Sequence, residues 1–148
     1  MSKYNYEYNE NDYKTPPELY EKALKKFGLV GFFTIDVCCS EHNIPALSYY
    51  VNGEQNGLKE PWFGFCWCNP PFNECKKWVR KAYKENQQGA CVAMLIPART
   101  ETAYFHDYIL NNPNVEIEFL RKGHRFLNKE NKQMGVFKNA LALVYFKW

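Results

Sequence analysis

Residues 62–86 decide the fold: Trp62-Phe63-Gly64-Phe65-Cys66-Trp67-Cys68, then Asn69-Pro70-Pro71-Phe72, then the stretch from Asn73 to Asn86. The first run is aromatic and apolar and has the length of a strand, so it reads as a buried strand. In the last run Cys75, Trp78, Val79 and Ala82 recur at helical spacing, with Asn73 placed to cap the helix. The tetrapeptide between them is a stiff corner. Its two prolines have no amide hydrogen and hold φ at about −65°. The first of them also pushes Asn69 away from the helical region. Carbonyls at such a corner are expected to be free to accept hydrogen bonds from outside the protein.

Working outward, Phe32-Phe33-Thr34-Ile35-Asp36-Val37-Cys38 is rich in aromatic and β-branched residues and reads as the first sheet strand. Ala46 to Val51 is a weaker second strand, followed by a turn at Asn52–Gly57. Ala90-Cys91-Val92-Ala93-Met94-Leu95-Ile96 is wholly apolar and is the clearest central strand. A helix is expected from about Thr102 to Leu110, and strands from Val115 to Leu120 and from Ala140 to Phe146. Ahead of all these, Thr15-Pro16-Pro17-Glu18 reads as a Thr-x-x-Glu capping box opening a helix. Its apolar face is Leu19, Ala23, Leu24 and Phe27, and Gly28 stops it. Strands alternating with helices predict a single-domain α/β protein with a doubly wound, mostly parallel sheet. The two late strands, with no helix between them, predict an antiparallel hairpin at one edge. Residues 1–13, rich in Tyr and Asn, read as an N-terminal arm ahead of a domain spanning 14–148. That arm is either loosely packed or an aromatic segment that touches substrate.

The chain has 148 residues, enough for one domain with a proper core. Its 46% hydrophobic content excludes a disordered chain. No apolar run approaches the ~20 residues of a membrane span, and the N-terminus lacks a signal-peptide pattern. The expectation is a cytoplasmic protein with reduced, mostly buried cysteines. Adjacent Cys38-Cys39 and Cys66-x-Cys68 do not give the usual zinc-ligand pairs, so no metal is expected. A net charge of +3 does not by itself identify a nucleic-acid-binding protein. Its distribution says more. Arg121, Lys122, His124 and Arg125, with Lys129 and Lys132, form a basic cluster interleaved with Gly123 and Phe126. That cluster is either a DNA-contacting surface or a solvated loop. Arg99 follows the central strand and places another charge at its rim.

The corner's chemistry suits an amino group on an aromatic base. Such an amine is a poor nucleophile because its lone pair is delocalised into the ring. Two acceptors, the Asn69 side-chain oxygen and the Pro70 carbonyl, would hold its hydrogens and favour a pyramidal nitrogen with an available lone pair. Phe72 offers a flat face for the base. Preorganised acceptors aimed at developing positive charge are electrostatic catalysis, and alignment with an electrophile adds a proximity effect.

With these pieces the chain resembles the small phage-type DNA N-6-adenine methyltransferases, from about Tyr13 almost to the C-terminus. The matching segments are Thr15–Leu19, Phe33–Cys38, Asn69–Phe72, Leu95–Thr100 and Phe119–Phe126. The resemblance implies a Rossmann-like methyltransferase fold, S-adenosylmethionine as methyl donor and double-stranded DNA as substrate, with no obligate protein partner. Asn69, Pro70, Pro71 and Phe72 are then the catalytic residues. The donor pocket is implied to include Thr15, Pro16, Pro17, Asp36, Cys38 and Asn69, with Asp36 pairing the donor's ammonium. Glu41 or Glu54 is placed to accept from its ribose hydroxyls. Arg99, Lys122, His124 and Arg125 are the candidate DNA contacts. The target adenine would be flipped into the pocket and methylated without a covalent intermediate. One departure is clear: Cys38-Cys39-Ser40-Glu41 stands where most methyltransferases carry glycines after the first strand. Alternatives left open are methylation of another planar amine, on RNA or a protein glutamine, and a non-catalytic nucleic-acid-binding protein.

Overall fold

The computed structural model describes residues 13–148. All of the expected arm except Tyr13 therefore lies outside the described residues. Helix α1 is Pro17–Lys26, followed by strands β1 (Phe33–Cys39), β2 (Ala46–Val51) and β3 (Phe65–Cys68). After a 3-10 turn at Phe72–Glu74 come α2 (Cys75–Gln87), β4 (Cys91–Pro97) and α3 (Ala103–Phe105), which continues as a π-helical turn at His106–Leu110. Strands β5 (Val115–Phe119), β6 (Arg125–Leu127), β7 (Gln133–Val136) and β8 (Leu141–Phe146) complete the chain.

The main sheet has six strands in the order β2-β1-β3-β4-β8-β5. β1 pairs in parallel with both β2 and β3, and β3 with β4. β8 is antiparallel to both of its neighbours, β4 and β5. The result is a mixed α/β protein with a mostly parallel sheet. The expected edge hairpin is the β5–β8 pair, with β8 on its inner side and β5 at the edge. The chain between them holds a second, two-stranded antiparallel sheet, β6–β7.

Burial explains the layers. Every residue of β4 and of β8 is buried, which fits strands covered on both faces. Val92, Met94 and Ile96 face α2, packing with Trp78, Val79 and Ala82, while Phe105 and Ile109 extend that layer. Ala93 and Leu95 face the opposite way, toward Leu19, Ala23 and Leu24 of α1. Each fully buried side chain of this size contributes roughly 1.5–3 kcal/mol, so the two helices are held mainly by their apolar faces. Helices are sparse elsewhere. Residues 40–45 return from the end of β1 to the start of β2 as a loop. At about 3.3–3.6 Å per residue, this is enough chain to retrace a seven-residue strand. Gly57 lets the following loop lie against the sheet, since a Cβ there would run into the Val37 carbonyl and the Trp78 ring.

Local expectations fail at two places. Thr15 does not cap α1: the N-cap position is Pro16, with no side-chain capping hydrogen bond, because the Thr15 hydroxyl is engaged elsewhere. Asn73 does not cap α2 either. The Pro71 carbonyl accepts the Glu74 N–H at 2.9 Å, closing the 3-10 turn first, and α2 starts after Glu74. The expected helix from about Thr102 to Leu110 is present over residues 103–110, α-helical at its start and π-helical after.

Candidate active site

In this topology β1, β3, β4 and β5 all point their carboxyl ends to one rim. The strand order reverses between β1 and β3, because the chain leaves β1 toward β2 on one side and returns to β3 on the other. Ligand clefts of open α/β sheets form at such a switch point. Here a cleft opens there, lined by Tyr13, Lys14, Thr15, Asp36, Cys38, Ser40, Glu41, Asn52, Trp67 and Asn69, among others. Four of the six expected donor-pocket positions thus meet in one place, Thr15, Asp36, Cys38 and Asn69, while Pro16 and Pro17 do not line the cleft. Glu41 lies on this cleft, and Asn52, at the end of β2, joins it.

Asn69 is the centre of the arrangement. Its amide nitrogen donates to the Tyr13 carbonyl at 2.5 Å and to the Thr15 hydroxyl oxygen at 3.1 Å. Its oxygen Oδ1 is buried and has no hydrogen-bond partner. A buried acceptor without a partner is costly, and in a cleft it marks where a donor from outside fits. The Pro70 carbonyl also accepts no hydrogen bond among the described residues, whereas the Pro71 carbonyl is taken by Glu74. Of the corner's carbonyls, Pro70 therefore keeps the expected freedom and Pro71 does not. Pro70 and Pro71 are buried and Phe72 is half-buried.

Phe72 belongs to an aromatic cluster. Its ring meets Tyr13 at 5.5 Å, Phe126 at 5.8 Å and Phe137 at 5.5 Å between centroids, all edge-on. Through these contacts the β6–β7 hairpin and the residues flanking it pack onto the corner. Lys14 adds a second tie: its backbone pairs with Leu127 in both directions, at 3.1 and 3.0 Å. Its ammonium bonds the Lys129 carbonyl at 3.0 Å and Asn131 Oδ1 at 2.9 Å, and pairs with Glu41. Sequence reasoning gave Tyr13 and Lys14 no such role. Their position beside Thr15-Pro16 was the available signal, because a rigid Pro-Pro start fixes the chain before it.

Asp36 is buried, and the Cys38 N–H donates to its Oδ1 at 3.2 Å. Burial raises its carboxyl to about 8, against the lowering effect of that N–H. No cation pairs with it among the described residues; Lys14, the nearest lysine along the cleft wall, is held by Glu41. β1 runs through Cys39, with a register shift after Asp36, so Cys38 and Cys39 of the glycine-poor stretch are strand and the loop begins only at Ser40. All six cysteines are free and buried. Burial pushes Cys66 up to about 12 and also raises Cys39 and Cys68, which leaves inert thiols.

The candidate DNA contacts lie along the same rim but are not equivalent. Arg99 is exposed and bound to Glu101 through Nε at 3.0 Å and a terminal nitrogen at 2.8 Å. His124 Nδ1 sits 3.5 Å from Glu18. Arg125 spends one guanidinium nitrogen on the Met134 carbonyl across the hairpin, at 3.1 Å. Lys122, with Arg121, Lys132 and Lys138, has no carboxylate partner among the described residues. Lys122 and His124 also line two adjoining clefts with Leu120 and Arg121, of about 250 and 590 Å³.

The fold and site together define an α/β protein with a ligand cleft at its switch point and a preorganised amide acceptor at the cleft's edge. The sequence profile of the DNA N-6-adenine-methyltransferase (Dam) family matches residues 3–148, and the chain belongs to that family. A DNA N-6-adenine-methyltransferase of Escherichia phage T1 is 33% identical over 81 residues. That match covers 53% of this chain and 33% of the phage protein, so it spans only about a third of the relative's length.

Proposed function

We propose that this chain transfers a methyl group from S-adenosylmethionine to the exocyclic N6 amine of adenine in double-stranded DNA, on a base flipped out of the duplex. The single observation that carries the reading is the Asn69 carboxamide, whose oxygen is buried and unpartnered while its nitrogen is tied down on both hydrogens. An adenine amine offers two N–H donors. Asn69 Oδ1 accepts one and the Pro70 carbonyl the other. Both contacts strengthen as positive charge grows on nitrogen, which is where transition-state stabilisation acts. Phe72 supports the base on its half-exposed ring, and the aromatic cluster behind it fixes that ring's plane.

The cleft residues fit the donor. Asp36 is a buried carboxyl with no internal cation, whose charged form an ammonium group would stabilise; Glu41 and Asn52 offer acceptors for hydroxyl groups at the other wall. When bound, the donor supplies a sulfonium-activated methyl group, which the amine takes by direct displacement while sulfur keeps the bonding electron pair. The cationic amine then releases its proton to solvent, so no residue at the corner has to titrate. The strand order, with one reversed strand beside an edge strand, supports a Rossmann-like methyltransferase fold. Arg121, Lys122 and Lys132, with no carboxylate partner, are the cations available for phosphate. The reading places the enzyme in the cytoplasm, where such DNA is reached.

Incubation with labelled S-adenosylmethionine and unmethylated DNA, followed by nucleoside analysis, tests this. Label on N6-methyldeoxyadenosine supports the reading. Label on another nucleoside, or on RNA or protein alone, refutes it.

A further inference from the structure

We propose that Thr15 is a positioning residue for Asn69: together with the Tyr13 carbonyl, its hydroxyl locks the carboxamide so that oxygen, not nitrogen, faces the substrate amine. The inference rests on the proposed adenine methylation and adds a residue that reaches the reacting atoms only through Asn69.

A carboxamide has two nearly isosteric orientations, and its terminal torsion is soft. Which end faces a site is settled by what its neighbours donate and accept. A backbone carbonyl only accepts, so the Tyr13 carbonyl at 2.5 Å demands the nitrogen end. The Thr15 hydroxyl at 3.1 Å takes the second hydrogen. With both hydrogens used, Asn69 presents a pure acceptor to the cleft. The opposite orientation would set Oδ1 against the Tyr13 carbonyl and aim an N–H at an amine that needs acceptors.

The holder is itself held. Thr15 is 2% exposed, so water does not stand in for its hydroxyl. Pro16 and Pro17 follow it, Lys14 pairs with Leu127 before it, and its carbonyl accepts from Asn43 at 3.4 Å. Sequence places Thr15 as a helix cap, yet it makes no capping bond. Its hydroxyl is directed to Asn69 instead.

The test compares Thr15→Val, which keeps shape and loses the hydroxyl, with Thr15→Ser, which keeps it. Measured are the single-turnover rate on unmethylated DNA, the melting temperature, and its increase on adding S-adenosylmethionine. Thr15→Val is expected to slow methyl transfer about 10- to 100-fold, the scale of a misplaced catalytic group. Thr15→Ser should return to within a few-fold of the parent, and the donor-induced increase should persist in both. In the Asn69→Ala background Thr15→Val should have no further effect, since the two act as one unit. Should the valine variant melt below assay temperature, Thr15→Ala, which leaves space rather than adding a methyl, takes its place with the same expectations. A parental rate in the hydroxyl-deficient variant overturns the proposal while leaving the activity standing. So does loss of the donor-induced increase together with the rate, or an equal slowing without Asn69. No adenine methylation by the parent protein overturns both.

Discussion

The buried carboxyl of Asp36 makes donor binding a proton-linked event. Its ordinary value of 3.8 is raised to about 8 in the fold, because burial disfavours the charge and only the Cys38 N–H opposes this. The folded state therefore holds a proton that the unfolded chain has released. Its stabilising effect is full below 3.8 and is lost as pH rises through about 8. At 1.36 kcal/mol per pH unit the ceiling on that loss is about 6 kcal/mol, and water entry at the cleft reduces it. Beside Asp36, burial pushes the Cys39 and Cys68 thiols far up, and Lys14 is paired with Glu41. An ammonium group seated beside Asp36 reverses the preference and draws the carboxyl into its charged form. Donor affinity should then rise with pH, on the order of 20-fold between pH 6 and 8, and turn over above as the donor's own α-ammonium, with an ordinary value of about 7.7–8.0, loses its proton. Calorimetry at pH 7 in buffers of different ionisation enthalpy should show about one proton released per donor bound. Asp36→Asn should bind weakly at every pH, and its apo form should gain stability over the parent as pH rises from about 4 to about 8, with no further gain above. A flat affinity from pH 6 to 8 with no proton release, or asparagine binding as tightly as aspartate at pH 8, would refute the linkage.

Two further outcomes follow from the rim. Phe72→Ala should lower activity by a smaller factor than loss of Asn69, and Phe72→Tyr or Trp should restore much of it, because stacking on a base is worth about 1–3 kcal/mol; an alanine variant that melts several degrees lower yet is fully active when cold would leave Phe72 as a core ring only. Replacing Arg121 and Lys122 together should flatten the salt dependence of duplex binding by about 0.9 in log–log slope per lost phosphate contact, with donor affinity unchanged. Lys84→Ala, on the part of α2 remote from the rim, is the control, and equal slopes in all three proteins would place the DNA elsewhere.

The central strands were legible because they are covered on both faces. The run Ala90–Ile96 admits little else, and the Asn69–Phe72 corner announces a strand end followed by a helix. Less visible was what long-range hydrogen bonds decide. Thr15 has the local signature of a cap, but Asn69, far along the chain, competes for its hydroxyl and wins. Asn73 looked like a cap until the Pro71 carbonyl took the Glu74 N–H. The β6–β7 hairpin carries no alternation strong enough to be read, and its place over the corner depends on Tyr13, Phe72, Phe126 and Phe137 meeting in space. Charge told even less: sequence groups Arg99 with Lys122 and Arg125, whereas the structure ties Arg99 to Glu101 and Arg125 to Met134, leaving Lys122 available.

The central claim is that Asn69 holds the amine through the transition state. The single-turnover rate of Asn69→Ala on unmethylated DNA tests it most directly, because that rate reports the chemical step apart from binding and release. Loss of one preorganised group of this kind costs about 100- to 1000-fold. A fall of that size is expected, with DNA still bound. A rate within about threefold of the parent would contradict it.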